Sequence, residues 1–236
     1  MAIELPHDVV TLLNLIGIKW PTVNEDKVRD FAHHVRQFAK DVEATHGHSS
    51  ATVKQVGESY EGESYEALAK KWAAASNDHF DEIVQACHTV ATALDVAADT
   101  IVAAKVATIA ELTVLAAAFI ADQAAAVATF GLAEVAVVAI EETAKRLVNA
   151  LVQQLEQHII AEVIEAAISP LIDTVSEAVT GLVFEAAAAG ANSAGSGYKI
   201  DPAGLEAHAR TMHEHAQAVA THAETFRTKV AAVSFE

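Results

Sequence analysis

Across residues 205–233 apolar side chains recur at alternating steps of four and three: Leu205, Ala209, Met212, Ala216, Val219, Ala223, Phe226, Val230 and Val233. This is a heptad seam, by which one helix lays a narrow apolar stripe against another. Asp201 and Pro202 open it, with Pro near the first helical position, where its missing N–H is not needed. A second amphipathic run follows Asn24, a predicted N-cap, and the acidic pair Glu25 and Asp26 suits the positive end of that helix. Val28, Phe31, Val35, Phe38 and Val42 repeat there at three and four, more weakly through Thr45, Thr52 and Val56. His46-Gly47-His48-Ser49-Ser50 predicts a fray or bend in it, because Gly and Ser are poor helix-interior residues.

The remaining pattern is also helical. Residues 1–20 carry Val9, Val10, Leu12, Leu13, Leu15, Ile16 and Ile18 as a short helix or turn, punctuated by Gly17 and Trp20-Pro21. Residues 57–62 read as a break. Tyr65, Leu68, Trp72 and Ala75 then start a second long helix, running through Phe80, Ile83, Val90, Leu94, Ile101 and Ile109 to about residue 128, and Phe130-Gly131 marks its end. A third helix is predicted over 132–168 with Leu147, Leu151, Leu155 and Ile159, closed or kinked at Ser169-Pro170, and a further one over 171–189. Residues 190–197, Gly-Ala-Asn-Ser-Ala-Gly-Ser-Gly, read as a linker. No strand alternation is visible. The expected fold class is all-α: an elongated helical hairpin or bundle with long helices and a C-terminal coiled-coil helix. The expected domains are a helical region over 1–190, a flexible linker over 191–200 and the heptad helix over 201–236.

Composition sharpens this picture. Of 236 residues, 52% are hydrophobic but only 6% aromatic, with 4 Pro and 10 Gly, so long helices of small side chains are favoured. The formal net charge of -17 argues against nucleic acid and against an anionic membrane surface as partner. Cys87, the single cysteine, lies among Val84, Ala86 and Val90 and reads as a buried structural thiol. The first residues, 1–6, show no basic region, so export, if it occurs, is expected by a leaderless route. Residues 96–140 are strongly apolar, yet Asp99, Lys105, Glu111, Asp122 and Glu134 interrupt them. Their charge-free windows fall short of the roughly 20 residues a spanning helix needs, which predicts a buried core helix pair.

At Tyr60-Glu61-Gly62 the chain resembles a known family. A long amphipathic helix, an aromatic-x-Gly turn and a second long helix are similar to the WxG hairpin of type VII (ESX) secretion substrates, with Tyr60 where that family usually has Trp. The region over 1–190 resembles the WXG-like domain ahead of toxin modules in actinobacterial polymorphic toxins, through Trp20-Pro21, the hairpin and the alanine-rich helices that follow. The segment from Tyr198, with Tyr198-Lys199-Ile200-Asp201-Pro202, is similar to small EspC-like ESX proteins. The family's export tag, Tyr followed four residues later by an acidic residue, is not matched: Ser64 follows Tyr60, Ala69 follows Tyr65 and Pro202 follows Tyr198 at that spacing. The resemblance thus implies an untagged member exported with a partner, or a chain that is not exported.

Candidate sites follow from these patterns. Tyr60, Gly62, Tyr65 and Trp72 are expected at the hairpin end, Tyr65 and Trp72 as core packing or as a groove for a partner helix. Leu205, Met212, Val219, Phe226 and Val230 are expected to form a helix-binding seam. His208, His215 and His222 repeat every seven residues, about 10 Å apart along a helix, too far to share one ion. They are expected beside the seam, either solvated or facing acidic residues as a pH-sensitive flank. The acidic pairs at Asp81-Glu82, Glu141-Glu142 and Glu162 with Glu165 read as solvated faces, and no nucleophile set or phosphate-cradling loop is present. No cofactor or metal is expected. The expected function is non-enzymatic: a helical partner-binding protein of type VII secretion, as secreted substrate or toxin-targeting partner. Its expected partner is a small WXG-like protein, a toxin or a second copy, and its location is outside the cell or in the cytoplasm before export. A membrane-active or pore-forming module built on residues 96–140, and an intracellular self-assembling coiled-coil protein, are the alternatives.

Overall fold

A computed structural model describes residues 3–75, 80–129, 134–156, 171, 173 and 199–233. Among these, the helices are α1 (His7–Leu15), α2 (Glu25–Ser59), α3 (Glu63–Ala75), α4 (Asp81–Thr129), α5 (Glu134–Gln153) and α6 (Pro202–Ala231). The protein is all-α. One extended contact was not expected: β1 (Tyr60–Glu61) pairs antiparallel with β2 (Lys199–Ile200), Tyr60 opposite Ile200 and Glu61 opposite Lys199.

Helix boundaries follow local chemistry. Asn24 caps α2 as expected, its side chain accepting from the N–H groups of Asp26 at 2.9 Å and Lys27 at 3.3 Å. After α1, Gly17 takes φ 70°, and the N–H of Ile18 returns to the Leu13 carbonyl at 3.0 Å. Asp201 caps α6 by accepting from Ala203 N–H, with Pro202 first in the helix. Two expectations are corrected. Residues 57–59 belong to α2, which also runs unbroken through His46-Gly47-His48. The helix expected from Tyr65 onward is described as α3 and α4, and residues 76–79 between them lie outside the described residues. The expected helix over 171–189 and most of the linker also lie outside them.

The chain divides into two compact units. The first comprises Met1–Asp30, Ala93–Ala166 and Ser234–Glu236. Its core joins Val9, Leu12 and Leu13 of α1 to Leu112, Ala116 and Phe119 of α4 and Ile140, Ala144 and Val148 of α5. The expected burial of α4 and α5 therefore holds on one face. The opposite face of α4 is open, with Val96, Val106, Val114 and Ile120 exposed. In the same unit Lys105, expected only as an interruption of the apolar run, is 3% exposed and lies 2.6 Å from the carboxylate of Glu25, which is fully buried. Lys105 also donates to the Val23 carbonyl, and the Ile3 N–H donates to Glu25 at 2.9 Å. Burial alone would raise the Glu25 carboxyl. The hydrogen bond from Lys105, the backbone N–H groups of Glu25 and Ile3, and the ammonium charge outweigh it and hold the group below its ordinary value.

The second unit comprises Phe31–Thr92 and Ala167–Val233. Phe31, Val35, Phe38, Val42 and Val56 of α2, with Phe80 and, on α4, Ile83, Cys87 and Val90, are buried. Burial pushes the Cys87 thiol up to about 12, which keeps it protonated and inert, as the structural reading expected.

Candidate helix-pairing site

The site lies within the second unit, where α6 runs antiparallel along α2. Three histidines of α6 meet three hydroxyls of α2: His208 with Ser59 at 3.3 Å, His215 with Thr52 at 3.3 Å and His222 with Thr45 at 3.1 Å. Both rows step by seven, so the rungs repeat in one register. Beyond the last rung Phe226 stacks on Phe38 with ring centroids 4.7 Å apart and planes 19° from parallel. Thr45 and Thr52 are buried, and so are Val219 and Phe226. Leu205, Met212 and Val230 are half-buried.

The middle rung can be resolved into donors and acceptors. Thr52 Oγ1 donates its one proton to the His48 carbonyl at 3.1 Å, so it accepts from the Nε2–H of His215. The exposed His48 ring sits beside that of His215, centroids 6.2 Å apart. Ser49, also buried, donates back to the Thr45 carbonyl at 2.8 Å. Among the described residues no buried side-chain polar atom lacks a partner.

Two expectations about α6 change. The stripe turned toward α2 alternates the Leu205, Met212, Val219, Phe226 row with the histidine row, while Ala209 and Ala216 are exposed. The three histidines therefore sit in the seam and not beside it. Their ring nitrogens bond hydroxyls where solvent or carboxylates were expected. The reason is on α2: its own stripe turns polar at Thr45 and Thr52, and a facing imidazole adds a hydrogen bond to each hydroxyl that a facing alanine could not make.

One end of this pair is closed by the turn. Asp201 N–H donates to the Ser59 carbonyl at 2.8 Å, next to the Tyr60–Ile200 pairing. Gly204 permits the approach, since a Cβ there would fall 2.5 Å from Ser59 Oγ. Tyr60 is half-buried, and the Gly62 carbonyl starts α3 by accepting from the N–H of Tyr65 at 3.0 Å. Tyr65 lays its ring over Gly57, where a Cβ would lie 2.6 Å from Cζ. Trp72 reaches α2 further along: its indole N–H donates to Ser50 Oγ at 2.9 Å, and its ring neighbours His46 and Phe80. His46 stacks on Phe80 at 4.5 Å; burial lowers its imidazole, against the opposing charges of Asp81 and Glu43. Tyr65 and Trp72 thus both pack the hairpin on opposite turns of α3.

A family model described as the WXG100 like domain matches residues 4–147, more than half of the chain. The chain belongs to the WXG100-like family. The match spans α1 to most of α5 and includes the Tyr60-Glu61-Gly62 turn, which connects this WXG100-like chain with type VII secretion. No curated protein and no solved structure matches the chain. Among the described residues no three or more His, Cys, Asp or Glu side chains are grouped to hold a metal ion.

What sequence reasoning missed is now plain. Thr45 and Thr52 were legible as a weak continuation of the α2 stripe, while Ser59 fell in the expected break; the seven-residue spacing of all three, matching that of His208, His215 and His222, was the signal that the two rows pair. Glu25 and Lys105 carried no comparable signal, because neither neighbours the other in sequence.

Proposed function

We propose that this WXG100-like chain is a non-enzymatic helical partner-binding protein of type VII secretion, exported by that route as a substrate or as the targeting partner of a toxin. The observation that carries the reading is the α2 surface itself, which receives a helix in one heptad register through the three histidine–hydroxyl rungs and Phe226. Of the seam Leu205, Met212, Val219, Phe226 and Val230, Phe226 stacks on Phe38 of the chain's own α2. This EspC-like segment therefore completes the WXG100-like hairpin from within the same chain, and a tagged partner joins elsewhere on the molecule. Lacking a Tyr-x-x-x-acid tag, the chain travels with a protein that has one.

The test is export. Expressed in a type VII-competent host, the chain is expected in the culture medium together with a small helical protein, and absent from the medium when the secretion ATPase is deleted. Equal extracellular amounts in both strains would refute the secretion reading.

One observation favours a second reading. The helix over Asp81–Asp122 holds an 18-residue window of mean hydropathy 1.8, only 22% of which is buried, so it is long and apolar enough to cross a membrane. A membrane-active role predicts dye leakage from vesicles, stronger at acidic than neutral pH. The pairing of Lys105 with Glu25 speaks against it, because that helix's ammonium already has a partner inside the first unit.

A further inference from the structure

We infer that the outer face of α4, over residues 96–121, is the docking surface for a basic amphipathic helix of another protein. The inference rests on the partner-binding reading above and gives that partner a place and a charge. Val96, Ala103, Val106, Ala110, Val114 and Ala117 are all exposed, and from Ala103 onward they succeed one another at three and four. From Ala103 to Ala117 such spacing presents an apolar stripe of roughly 21 Å at 1.5 Å per residue, with Asp99 on the same line between Val96 and Ala103. Meanwhile Ile101, Lys105, Leu112, Ala116 and Phe119 occupy the buried side of the same helix. A helix apolar on all sides needs cover on all sides, and here only one side has it.

Charge selects the occupant. Over residues 93–122 the charged side chains are Asp95, Asp99, Glu111, Asp122 and Lys105. Lys105 is buried against Glu25, so everything charged that α4 shows to solvent along this stretch is acidic. Asp99 is engaged by Arg29 at 2.8 Å, while Glu111 stands exposed between Val106 and Val114. A second copy would bring like charges together along the stripe, from a chain whose net charge is already -17. A lipid surface would press the carboxylates of Asp99 and Glu111 toward hydrocarbon and face repulsion from anionic headgroups. A helix with branched or long apolar side chains every three to four residues and Lys or Arg on its flanks meets both needs: its large side chains fill the gaps over Ala103, Ala110 and Ala117, and its cations face the acidic rim.

The experiment titrates the full chain into a labelled synthetic peptide of about 25 residues, Leu at the seam positions and Lys at the flanks, followed by fluorescence anisotropy. A matched Leu and Glu peptide is the control. Binding of the basic peptide is expected, weakened at high salt and reduced at least tenfold by Val106→Asn with Val114→Asn. Both positions are exposed, so thermal melting of the double variant should match the parent and exclude unfolding as the cause. Equal binding of the acidic peptide, or unchanged binding by a folded double variant, would overturn the inference. So would a dimeric mass at micromolar concentration that the double variant returns to monomer, or capture by neutral phosphatidylcholine vesicles without peptide binding. A chain that binds the basic peptide but is not exported sinks the secretion reading alone, whereas a chain that is exported but ignores the peptide sinks this inference alone.

Discussion

At the scale of single residues, the buried charges and the buried hydroxyls are where sequence and structure part most. Glu25 and Lys105 sit 2.6 Å apart with almost no exposure. Removing one partner strands the other in a low dielectric, so Lys105→Met should cost about 3–5 kcal/mol in chemical denaturation. Because the Glu25 carboxyl is held low in the folded chain, its contribution is present above its unfolded value and is lost as pH falls through the lowered folded value. Melting temperature should therefore drop on the acid side of about pH 4.3, and Glu25→Gln should flatten that drop. Thr52 makes a second case. Thr52→Val keeps the shape but leaves the Nε2–H of His215 without its acceptor, which should destabilise by about 1–3 kcal/mol. Combining it with His215→Leu should recover part of that loss; strict additivity in the double-mutant cycle would count against the rung.

At the scale of elements, the packing of α2 against α3 and α6 depends on close approach. Gly→Ala inside a helix ordinarily stabilises by about 0.5–1 kcal/mol. At Gly57 the new methyl would meet the Tyr65 ring at 2.6 Å, so Gly57→Ala should instead destabilise, and it should regain its ordinary benefit in a Tyr65→Ala background. For α6, Phe226→Asp removes the stack on Phe38 and buries a carboxylate. Its loss should be at least the about 3–5 kcal/mol typical of Phe→Ala, with α6 becoming sensitive to protease. The helices themselves were legible: Asn24 as cap, the Val28 to Val56 stripe, the Asp-Pro start of α6. The pairing of β1 with β2 was not, because it joins residues far apart in sequence.

For the whole molecule, charge and exposed apolar surface act together. With a net charge of -17 at pH 7 and a pI near 5.0, repulsion protects the exposed stripe of α4 at neutral pH and vanishes near pH 5. Turbidity should peak near pH 5, and Val106→Asn with Val114→Asn should lower that peak. An unchanged peak would place the sticky surface elsewhere.

Local spacing alone determined the all-α class, the caps, the hairpin turn at Tyr60-Glu61-Gly62 and the membership that turn foreshadowed, because each depends on residues a few positions apart. Which of two overlapping stripes α6 turns inward was decided only by tertiary structure. Ala209 and Ala216 fit a heptad as well as His208 and His215 do, and the choice falls to whatever the facing helix needs satisfied. In this chain that was the hydroxyls of Thr45 and Thr52, both buried, and of half-buried Ser59, which a facing imidazole bonds and a facing methyl cannot.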